Sequence, residues 1–503
     1  MIKEIIIYLI RALNPVAFRR DRARQIQMLK QINKYLRIAL NPIAFERGRV
    51  KQIQARDKQI QARDKQIQAK DRQIQALRAK IEALSAKLRA DIGRKDKRIE
   101  LLRGKVEALR RDHTKLLAHI GGVDASLEHM SCLGDSKPER QAVYRKLLGA
   151  LSNDGYGYDY AFTGDQRHHP MAYALVASAE AYRYLMTEDE EALTRAIHCA
   201  DWLVANSDLN NDGLWGWGLA FPWDAFQDGP PNPAHTQYAI TTALCAKALL
   251  DTYDAIGSHR SARDDNDTSL PEARYLEVGD TSMHSFIQSN AYNTYTDSKV
   301  AFWYSLRPED SYEAINIQAM FAGILQRLST YPIDSSRVAI YAEFADRVMS
   351  YIMDCRQEYA GGWLWSYLGH RAPLGHEYRL NDTVHAAYTV DGLMTYKIYG
   401  GGAADDIDDA KLLAGLAAFL AEGKVVHLPG QETPARLWGV GYLLYVLSHH
   451  FDAGSLANSV YAYAMTDLWA NALFWYGEED DSDYVRDQTH MLIGLSYYAY
   501  KSQ

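Results

Sequence analysis

Cysteine is scarce in this chain of 503 residues, and its four cysteines form no Cys-x-x-Cys pair. That scarcity fits a reducing compartment and excludes a cysteine-based zinc site. Long apolar runs are missing too, because no stretch approaches the roughly 18–20 residues of a membrane-spanning helix. The run from Ile5 to Ile10 is short and lacks a small-residue cleavage site, so no secretory signal is expected. We therefore expect a cytoplasmic protein without a transmembrane helix.

Motifs for nucleotides and metals are also missing. The sequence contains no P-loop, no Rossmann fingerprint, no His-Glu-x-x-His and no convincing ligand spacing. We expect neither a cofactor nor a bound metal.

Charge is present but unevenly distributed, and the net charge of −7 hides a split at residue 120. Residues 1–120 contain 31 Lys+Arg and 12 Asp+Glu, a net of +19, and the other residues contain 25 and 51, a net of −26. The hydrophobic fraction of 47% is ample for a large core. We predict a basic arm (1–49), a stalk (50–125) and an acidic globular domain (126–503).

The arm contains a duplication, because Tyr8–Phe18 recurs as Tyr35–Phe45. Each copy predicts a short amphipathic helix that ends at Asn-Pro, since the residue before proline avoids the α region. Apolar residues beside clustered arginines are typical of a segment that lies on an anionic membrane. Packing of the two copies on each other or on a partner subunit is the alternative. Nucleic acid is not expected, because no reading motif occurs. We predict a protein held peripherally on the inner face of a membrane.

The stalk has a near-exact heptad repeat over residues 52–76, and an apolar residue recurs every seven positions from Ile53 to Leu88. The position three residues later is charged in the first three heptads and leucine in the next two. This pattern predicts a coiled coil that is loose at first and tighter downstream. We expect self-association through residues 50–120, with a solvated single helix as the alternative.

The acidic domain alternates two kinds of predicted helix. Six helices open with a polar cluster and then turn small and apolar, with anchors at His169, His235, Gln318, His385, Arg436 and His490. A more amphipathic helix precedes each opening, and aromatic loops with glycine, such as 211–217 and 361–365, separate the two kinds. Six inner and six outer helices with little strand signal predict an all-α fold, an (α/α)6 toroid. An open helical solenoid is the alternative.

The toroid prediction places function at one mouth of the ring. Inner helices share a direction, so their amino-terminal ends, with free N–H groups and positive dipole ends, surround that mouth. Tryptophans in the loops offer flat faces to sugar rings, and the polar openings offer hydrogen bonds. Packing between repeats is the alternative explanation for each histidine and tryptophan.

A ring with Trp-Gly loops and inner helices headed by Asn, His and Tyr resembles the carbohydrate-active α/α toroids. The segment from Trp217 to Tyr253 is closest to the glucuronyl 5-epimerase and uronate lyase group, and the resemblance covers roughly residues 140–503. It implies an enzyme that modifies a uronate-containing glycan at carbon 5 during the production of a surface or capsule polysaccharide. The net charge of −26 does not favour such a polyanion, so the mouth would need a local positive charge.

Proton abstraction beside a carboxylate requires a base, an acid, and groups that neutralise the developing charge. The candidate catalytic residues are two pairs at i,i+3, His235 with Tyr238 and His385 with Tyr388. The candidate substrate-binding residues are Asn232, Arg379, Asn381, Arg436, His169, His490, Trp217, Trp223, Trp363 and Trp365.

Three alternatives stay open. A glycoside hydrolase would need paired carboxyl groups, for which Glu377, Asp382 and Asp224 are candidates. A terpene-cyclase-like toroid is suggested by the DxDD letters of 406–409, although we predict that these aspartates cap an outer helix. A non-enzymatic scaffold that binds glycan or protein is the third.

Overall fold

The computed structural model describes residues 22–39, 136–154, 156, 168–226, 230–263, 272–373, 379–451, 453–470, 472–478, 482 and 484–501. The chain divides into two units, Met1–Glu128 and His129–Gln503. In the first unit the described residues form one helix, α1 (Arg22–Ala39). The predicted coiled coil of 50–125 and the rest of the arm lie outside the described residues. No helix in the described part of the chain is both long and apolar enough to cross a bilayer.

The described residues of the second unit form twelve α-helices, which alternate between an outer and an inner layer. The outer helices are α2 (Lys137–Asp154), α4 (Glu190–Ala205), α6 (Glu272–Gln288), α8 (Ser335–Asp354), α10 (Asp409–Ala417) and α12 (Gly454–Tyr463). The inner helices are α3 (Pro170–Thr187), α5 (Ala239–Arg263), α7 (Ile315–Leu328), α9 (Thr383–Ile398), α11 (Leu437–His449) and α13 (Val485–Tyr500). Each predicted opening therefore stands at the start of an inner helix.

The inner helices close into a ring. Each contacts the next along the chain from α3 to α13, and α13 returns to contact α3. Helix α7 is buried along its whole length, as an inner helix must be, whereas the outer helix α4 buries one face. The predicted (α/α)6 toroid is confirmed, and the open solenoid is wrong.

Short antiparallel hairpins, which the sequence did not predict, stand between outer and inner helices. They pair β1 (Tyr292–Thr296) with β2 (Lys299–Phe302), β3 (Arg356–Tyr359) with β4 (Gly362–Trp365), β5 (Leu420–Ala421) with β6 (Lys424–Val425), and β7 (Trp469–Ala470) with β8 (Leu473–Phe474). Strands of two to five residues are too short to show an alternating pattern.

Two glutamines fasten hairpins to the inner helices that follow. Gln318 of α7 accepts the N–H of Phe302 at 2.7 Å and donates to its carbonyl at 2.9 Å. Gln488 of α13 bonds the N–H and carbonyl of Phe474 in the same way, at 3.0 and 2.5 Å. We call these two contacts the glutamine clamps. The polar residue at Gln318 therefore has a structural role.

The aspartates of the DxDD stretch cap a helix, as predicted. The Asp408 carboxylate accepts the backbone N–H groups of Ala410 and Lys411, at 2.9 and 3.1 Å, where α10 begins. Asp409 forms an ion pair with Lys397 at 2.8 Å. The capping contacts account for the stretch without an acid function.

The interior of the ring contains a buried ion cluster. Asp251 of α5 pairs with Lys247 at 2.8 Å and with Arg327 of α7 at 2.7 Å. Ser178 of α3 donates a further hydrogen bond to Asp251 at 2.7 Å. Burial raises the pKa of Asp251, but the two cations outweigh burial and bring that pKa to about 2. Side chains of three inner helices are thereby joined around one carboxylate.

Glycine allows α11 and α13 to approach closely. A Cβ atom on Gly441 would lie 2.4 Å from the backbone nitrogen of Met491, which cannot rotate aside as a side chain can. We expect Gly441→Ala to lower the free energy of unfolding by about 1–3 kcal/mol, measured by urea denaturation. Gly257→Ala on α5 is the matched control, because a Cβ there meets no atom within 4 Å. Higher helix propensity should make that variant more stable by roughly 0.5–1 kcal/mol. Equal destabilisation of both variants would contradict the close approach.

Candidate functional site

A cavity of about 210 Å³ lies where the amino-terminal ends of the inner helices converge. Every inner helix contributes to it from its first two turns or from the residue just before it. The contributing residues are His169, Met171, Tyr238, Ile240, Thr241, Asn316, Ile317, His385, Tyr388, Trp438 and Arg486. Loop residues complete the wall, namely Leu219, Trp223, Ala225, Tyr304 and Tyr367. We call this space the mouth cavity.

His385 and Asp382 form a dyad at the start of α9. Asp382 is the N-cap residue, and its Oδ1 accepts the backbone N–H of His385 at 3.2 Å. The same oxygen lies 2.6 Å from Nδ1 of His385. Burial raises the pKa of Asp382, but the charge and hydrogen bonds of His385 outweigh burial and bring that pKa to about 2. An ionised carboxylate only accepts hydrogen bonds, so Nδ1 of His385 carries the proton of this bond, and Nε2 is the ring nitrogen that does not contact Asp382.

Tyr388 and His490 form a second pair, which joins α9 to α13. The Nδ1–H of His490 donates to the carbonyl of Arg486 at 2.7 Å, which leaves Nε2 to accept the hydroxyl of Tyr388. Burial lowers the pKa of His490 to about 3, helped by the nearby charge of Arg486. Burial also raises the pKa of Tyr388 above its ordinary value. The pair is therefore a neutral imidazole and a protonated phenol.

Arg486 supplies a positive charge to the mouth cavity. Its guanidinium lies over the ring of Trp438, 4.7 Å from the ring centroid, and its Nε donates to Asp487 at 3.0 Å. Burial, together with the charge of Arg486, lowers the pKa of His169 well below its usual range. His169 is thus neutral, and its Nδ1 caps α3 by accepting the N–H of Met171 at 3.3 Å.

Asn316 carries an unsatisfied acceptor in the wall of the mouth cavity. Its side chain is 2% exposed, and Oδ1 has no hydrogen-bond partner among the described residues. A buried carbonyl oxygen without a donor is costly unless a ligand supplies one. A sugar hydroxyl is such a donor.

The other predicted pair, His235 with Tyr238, does not lie on one helix face. Helix α5 begins at Ala239, and His235 stands before it with a φ of 65°, in the left-handed region. His235 does not line the mouth cavity, whereas Tyr238 does. The hydroxyl of Tyr238 accepts a hydrogen bond from the amide Nδ2 of Asn232 at 3.2 Å and donates one to the backbone carbonyl of Trp223 at 3.0 Å. This corrects the expectation: Tyr238 and Asn232 hold the Trp223 loop, and Trp223 reaches the cavity.

Three of the four predicted sugar-stacking tryptophans pack inside the protein instead. Trp217 and Trp365 are 1% and 2% exposed, and each donates its Nε1–H to a carbonyl near the end of the preceding outer helix. The acceptors are Leu203 of α4 and Ile352 of α8, both at 2.9 Å. Trp363 is buried and donates to Glu358 at 2.9 Å. The structure thus favours the packing alternative for these three.

The two arginines among the predicted substrate-binding residues stand before inner helices. Arg379 lies over the ring of Tyr367, 5.0 Å from its centroid, and 4.0 Å from Asp382. Arg436 precedes α11 and lies over the ring of Tyr476 at 5.4 Å. Neither arginine lines the mouth cavity.

Asn381 is buried and donates to Thr389 at 3.2 Å, and its Oδ1 has no partner among the described residues. Asp224 accepts the N–H of Phe226 at 2.9 Å in the loop beside the cavity. Glu377 lies outside the described residues.

Several wall residues were absent from the predicted set. Asn316, Trp438 and Arg486 belong to the polar openings, so equivalence among the six openings was the signal that could have found them. Tyr304 and Tyr367 each stand two residues after the second strand of a hairpin, as do His427 and Tyr476. Recognising the hairpins would have revealed that recurring position.

The described residues contain no group of three or more His, Cys, Asp or Glu side chains arranged to hold a metal ion.

No protein-family model matches the sequence, and no curated protein matches it. Solved structures with a similar arrangement include an inactive variant of the alpha-1,6-mannanase GH76A of Salegentibacter sp. HEL1_6. It shares 13% sequence identity with this chain at a TM-score of 0.49, and the match covers 72% of this chain and 99% of the mannanase. A polysaccharide lyase shares 12% identity at a TM-score of 0.46, covering 73% and 98%. Dfg5 from Chaetomium thermophilum, in complex with glucosamine, shares 13% identity at 0.49, covering 73% and 92%. Similarity at this level identifies neither a family nor a substrate.

Proposed function

We propose that this protein is a polysaccharide-modifying enzyme that removes the carbon-5 proton of a uronate residue, as an epimerase or a lyase. One observation carries the proposal: the mouth cavity combines a histidine base, a protonated phenol and a guanidinium. Among the described residues that line it, none has a carboxyl side chain. Proton abstraction needs a base, an acid and a positive group, whereas glycoside hydrolysis needs two carboxyl groups.

The His385–Asp382 dyad supplies the base. The Nε2 lone pair takes the proton as the C5–H bond breaks, and the electron pair moves toward the uronate carboxylate as an enolate-like anion. Asp382 holds the ring in the required tautomer and stabilises the imidazolium that forms. Asp382 also caps α9, so the dyad is fixed by the start of that helix.

The Tyr388 hydroxyl supplies the acid. In epimerisation its proton goes to carbon 5 on the opposite face of the sugar. In lysis the C4–O bond breaks, a C4–C5 double bond forms, and the proton goes to the departing glycosidic oxygen. His490 accepts a hydrogen bond from the same hydroxyl and fixes the orientation of the phenol in the cavity.

Arg486 and Asn316 complete the site. The guanidinium neutralises the charge that accumulates on the uronate carboxylate, and a fixed cation in a partly dry cavity does so without reorganisation. The unsatisfied Oδ1 of Asn316 accepts a sugar hydroxyl and orients the ring. The guanidinium of Arg486, whose Nε is paired with Asp487, is the positive group that the mouth cavity offers to a uronate carboxylate.

Hydrolysis is the second candidate, because the carboxyl groups of Asp310 and Asp224 interact electrostatically and both residues adjoin the cavity wall, Asp310 at Tyr304 and Asp224 at Trp223. Burial, with a smaller contribution from the charge of Asp224, raises the pKa of Asp310, against hydrogen bonds from Ser305 and Asn232. A carboxyl group with a raised pKa is suited to act as a general acid. Asp310 and Asp224 would then be the catalytic pair.

Incubation of the full-length protein with polysaccharides of glucuronate, mannuronate and galacturonate in deuterated water tests both candidates. Deuterium at carbon 5 without cleavage identifies an epimerase, and unsaturated chain ends identify a lyase. New reducing ends without unsaturation would replace the proposal with hydrolysis. A preparation that binds these glycans but changes none of them would identify a scaffold and overturn both enzymatic candidates.

A further inference from the structure

Helix α1 carries positive charge only. Its eighteen residues, Arg22–Ala39, include five lysines and arginines and no aspartate or glutamate. A helix stabilised by ion pairs between its own turns would carry both signs. This composition indicates a surface of negative charge as the partner.

Two lysines of α1 adjoin its apolar residues. At 100° per residue, Ile26, Leu29 and Ile32 form one stripe, since their spacings are three and three. Lys30 and Lys34, spaced four, lie beside that stripe. Charged side chains adjoining an apolar stripe are the arrangement of a helix that lies in the plane of an interface.

The apolar stripe of α1 is not buried in a core. Ile26 is 53% exposed and Leu29 is 64% exposed, and Tyr35 at the edge of the stripe is 52% exposed. Exposed isoleucine and leucine on consecutive turns are unfavourable in water, so an apolar medium should cover them.

A lipid surface matches both faces of the helix, whereas nucleic acid matches one. Phosphate backbones attract the cations but offer nothing to Ile26 and Leu29. An anionic bilayer attracts the cations to its headgroups and takes the apolar side chains into the acyl boundary. We propose that α1 docks the protein on an anionic membrane, with its apolar stripe inserted and its cations among the headgroups. The proposal is independent of the reaction at the mouth cavity.

Flotation of the full-length protein with vesicles tests the proposal. Vesicles of phosphatidylcholine with phosphatidylglycerol should bind it at low salt, pure phosphatidylcholine should bind it far less, and high salt should release it. Ile26→Ser with Leu29→Ser should weaken binding by roughly 3,000-fold, because the two changes remove about six inserted carbon groups. Lys30→Gln with Lys34→Gln should weaken it roughly 25-fold, about fivefold for each charge.

Gln31→Ser is the matched control, since Gln31 is an exposed neutral residue of the same helix, and its binding should be unchanged. Unchanged binding by both double variants would overturn the proposal. Equal binding to neutral vesicles would overturn it as well. Loss of self-association rather than of vesicle binding in the serine variant would assign the stripe to a protein partner. Equally tight binding of duplex DNA that ignores the serine changes would assign the cations to nucleic acid.

Discussion

Replacing Tyr388 with phenylalanine should lower kcat on the uronate substrate by about 10²–10⁴-fold, with little change in KM. The change removes the proton that the proposed reaction delivers to carbon 5 or to the leaving oxygen, and general acids contribute this much to enzymatic rates. The ring stays in place, so substrate should still bind. Turnover and the thermal transition of the domain, measured on the same preparation, separate loss of chemistry from loss of fold.

Tyr442→Phe is the matched control for Tyr388→Phe. The two rings lie 4.3 Å apart and both are buried, but Tyr442 donates its hydroxyl to Asp391 at 2.7 Å and does not line the mouth cavity. Each variant loses one buried hydrogen bond, at a cost in stability of about 1 kcal/mol for the neutral partner His490 and about 1.5–3 kcal/mol for the carboxylate of Asp391. Only the change at Tyr388 should abolish turnover. Equal activities of the two variants would exclude Tyr388 as the acid.

Replacing Asp251 with asparagine should lower the free energy of unfolding by about 3–5 kcal/mol. The amide has nearly the shape of the carboxylate, so no cavity opens, but buried Lys247 loses its ion-pair partner and Arg327 keeps only the partly exposed Asp254. Urea denaturation at neutral pH measures the effect. Asp254→Asn is the control, because the Asp254 side chain is 38% exposed, and its pair with Arg327 should contribute less than about 1 kcal/mol.

The contribution of Asp251 to the free energy of unfolding should decrease as the pH falls. The pKa of Asp251 is about 2 in the folded protein and 3.8 for an unperturbed aspartate. Because the folded value is the lower one, the unfolded chain binds the proton first, and the stabilisation is present above pH 3.8 and lost as the pH falls toward 2. The stability difference between the parent protein and Asp251→Asn should therefore shrink over that range. A constant difference would contradict the role assigned to this carboxylate.

The ring could be predicted from the sequence because its determinants are local and repeated six times. In the sequence each inner helix is marked by a polar cluster followed by small apolar residues. The six clusters stand at or just before the first residues of the six inner helices. The hairpins could not be predicted, because β5 and β6 have two residues each and are held mainly by the helices around them. Tertiary contacts, not propensity, create such strands.

The site could be predicted only in part. Spacing alone placed His385 and Tyr388 on one face of α9, since i and i+3 are neighbours on a helix. Spacing could not reveal His490 as the partner of Tyr388, because the two are 102 positions apart and meet only when the ring closes. The tryptophans were misjudged for a related reason. An indole N–H in a loop can bind a sugar or a helix end, and Trp217 and Trp365 cap helix ends at equivalent points of two repeats.

The glutamine clamps make the mouth a modular surface. Because Gln318 and Gln488 each hold a hairpin to the inner helix that follows it, a loop beside the cavity is tied to its own repeat. A change in one hairpin can therefore reshape one sector of the wall while the Tyr388–His490 pair between α9 and α13 keeps its position. Under the proposed function, we expect changes in glycan specificity to arise by altering one repeat at a time.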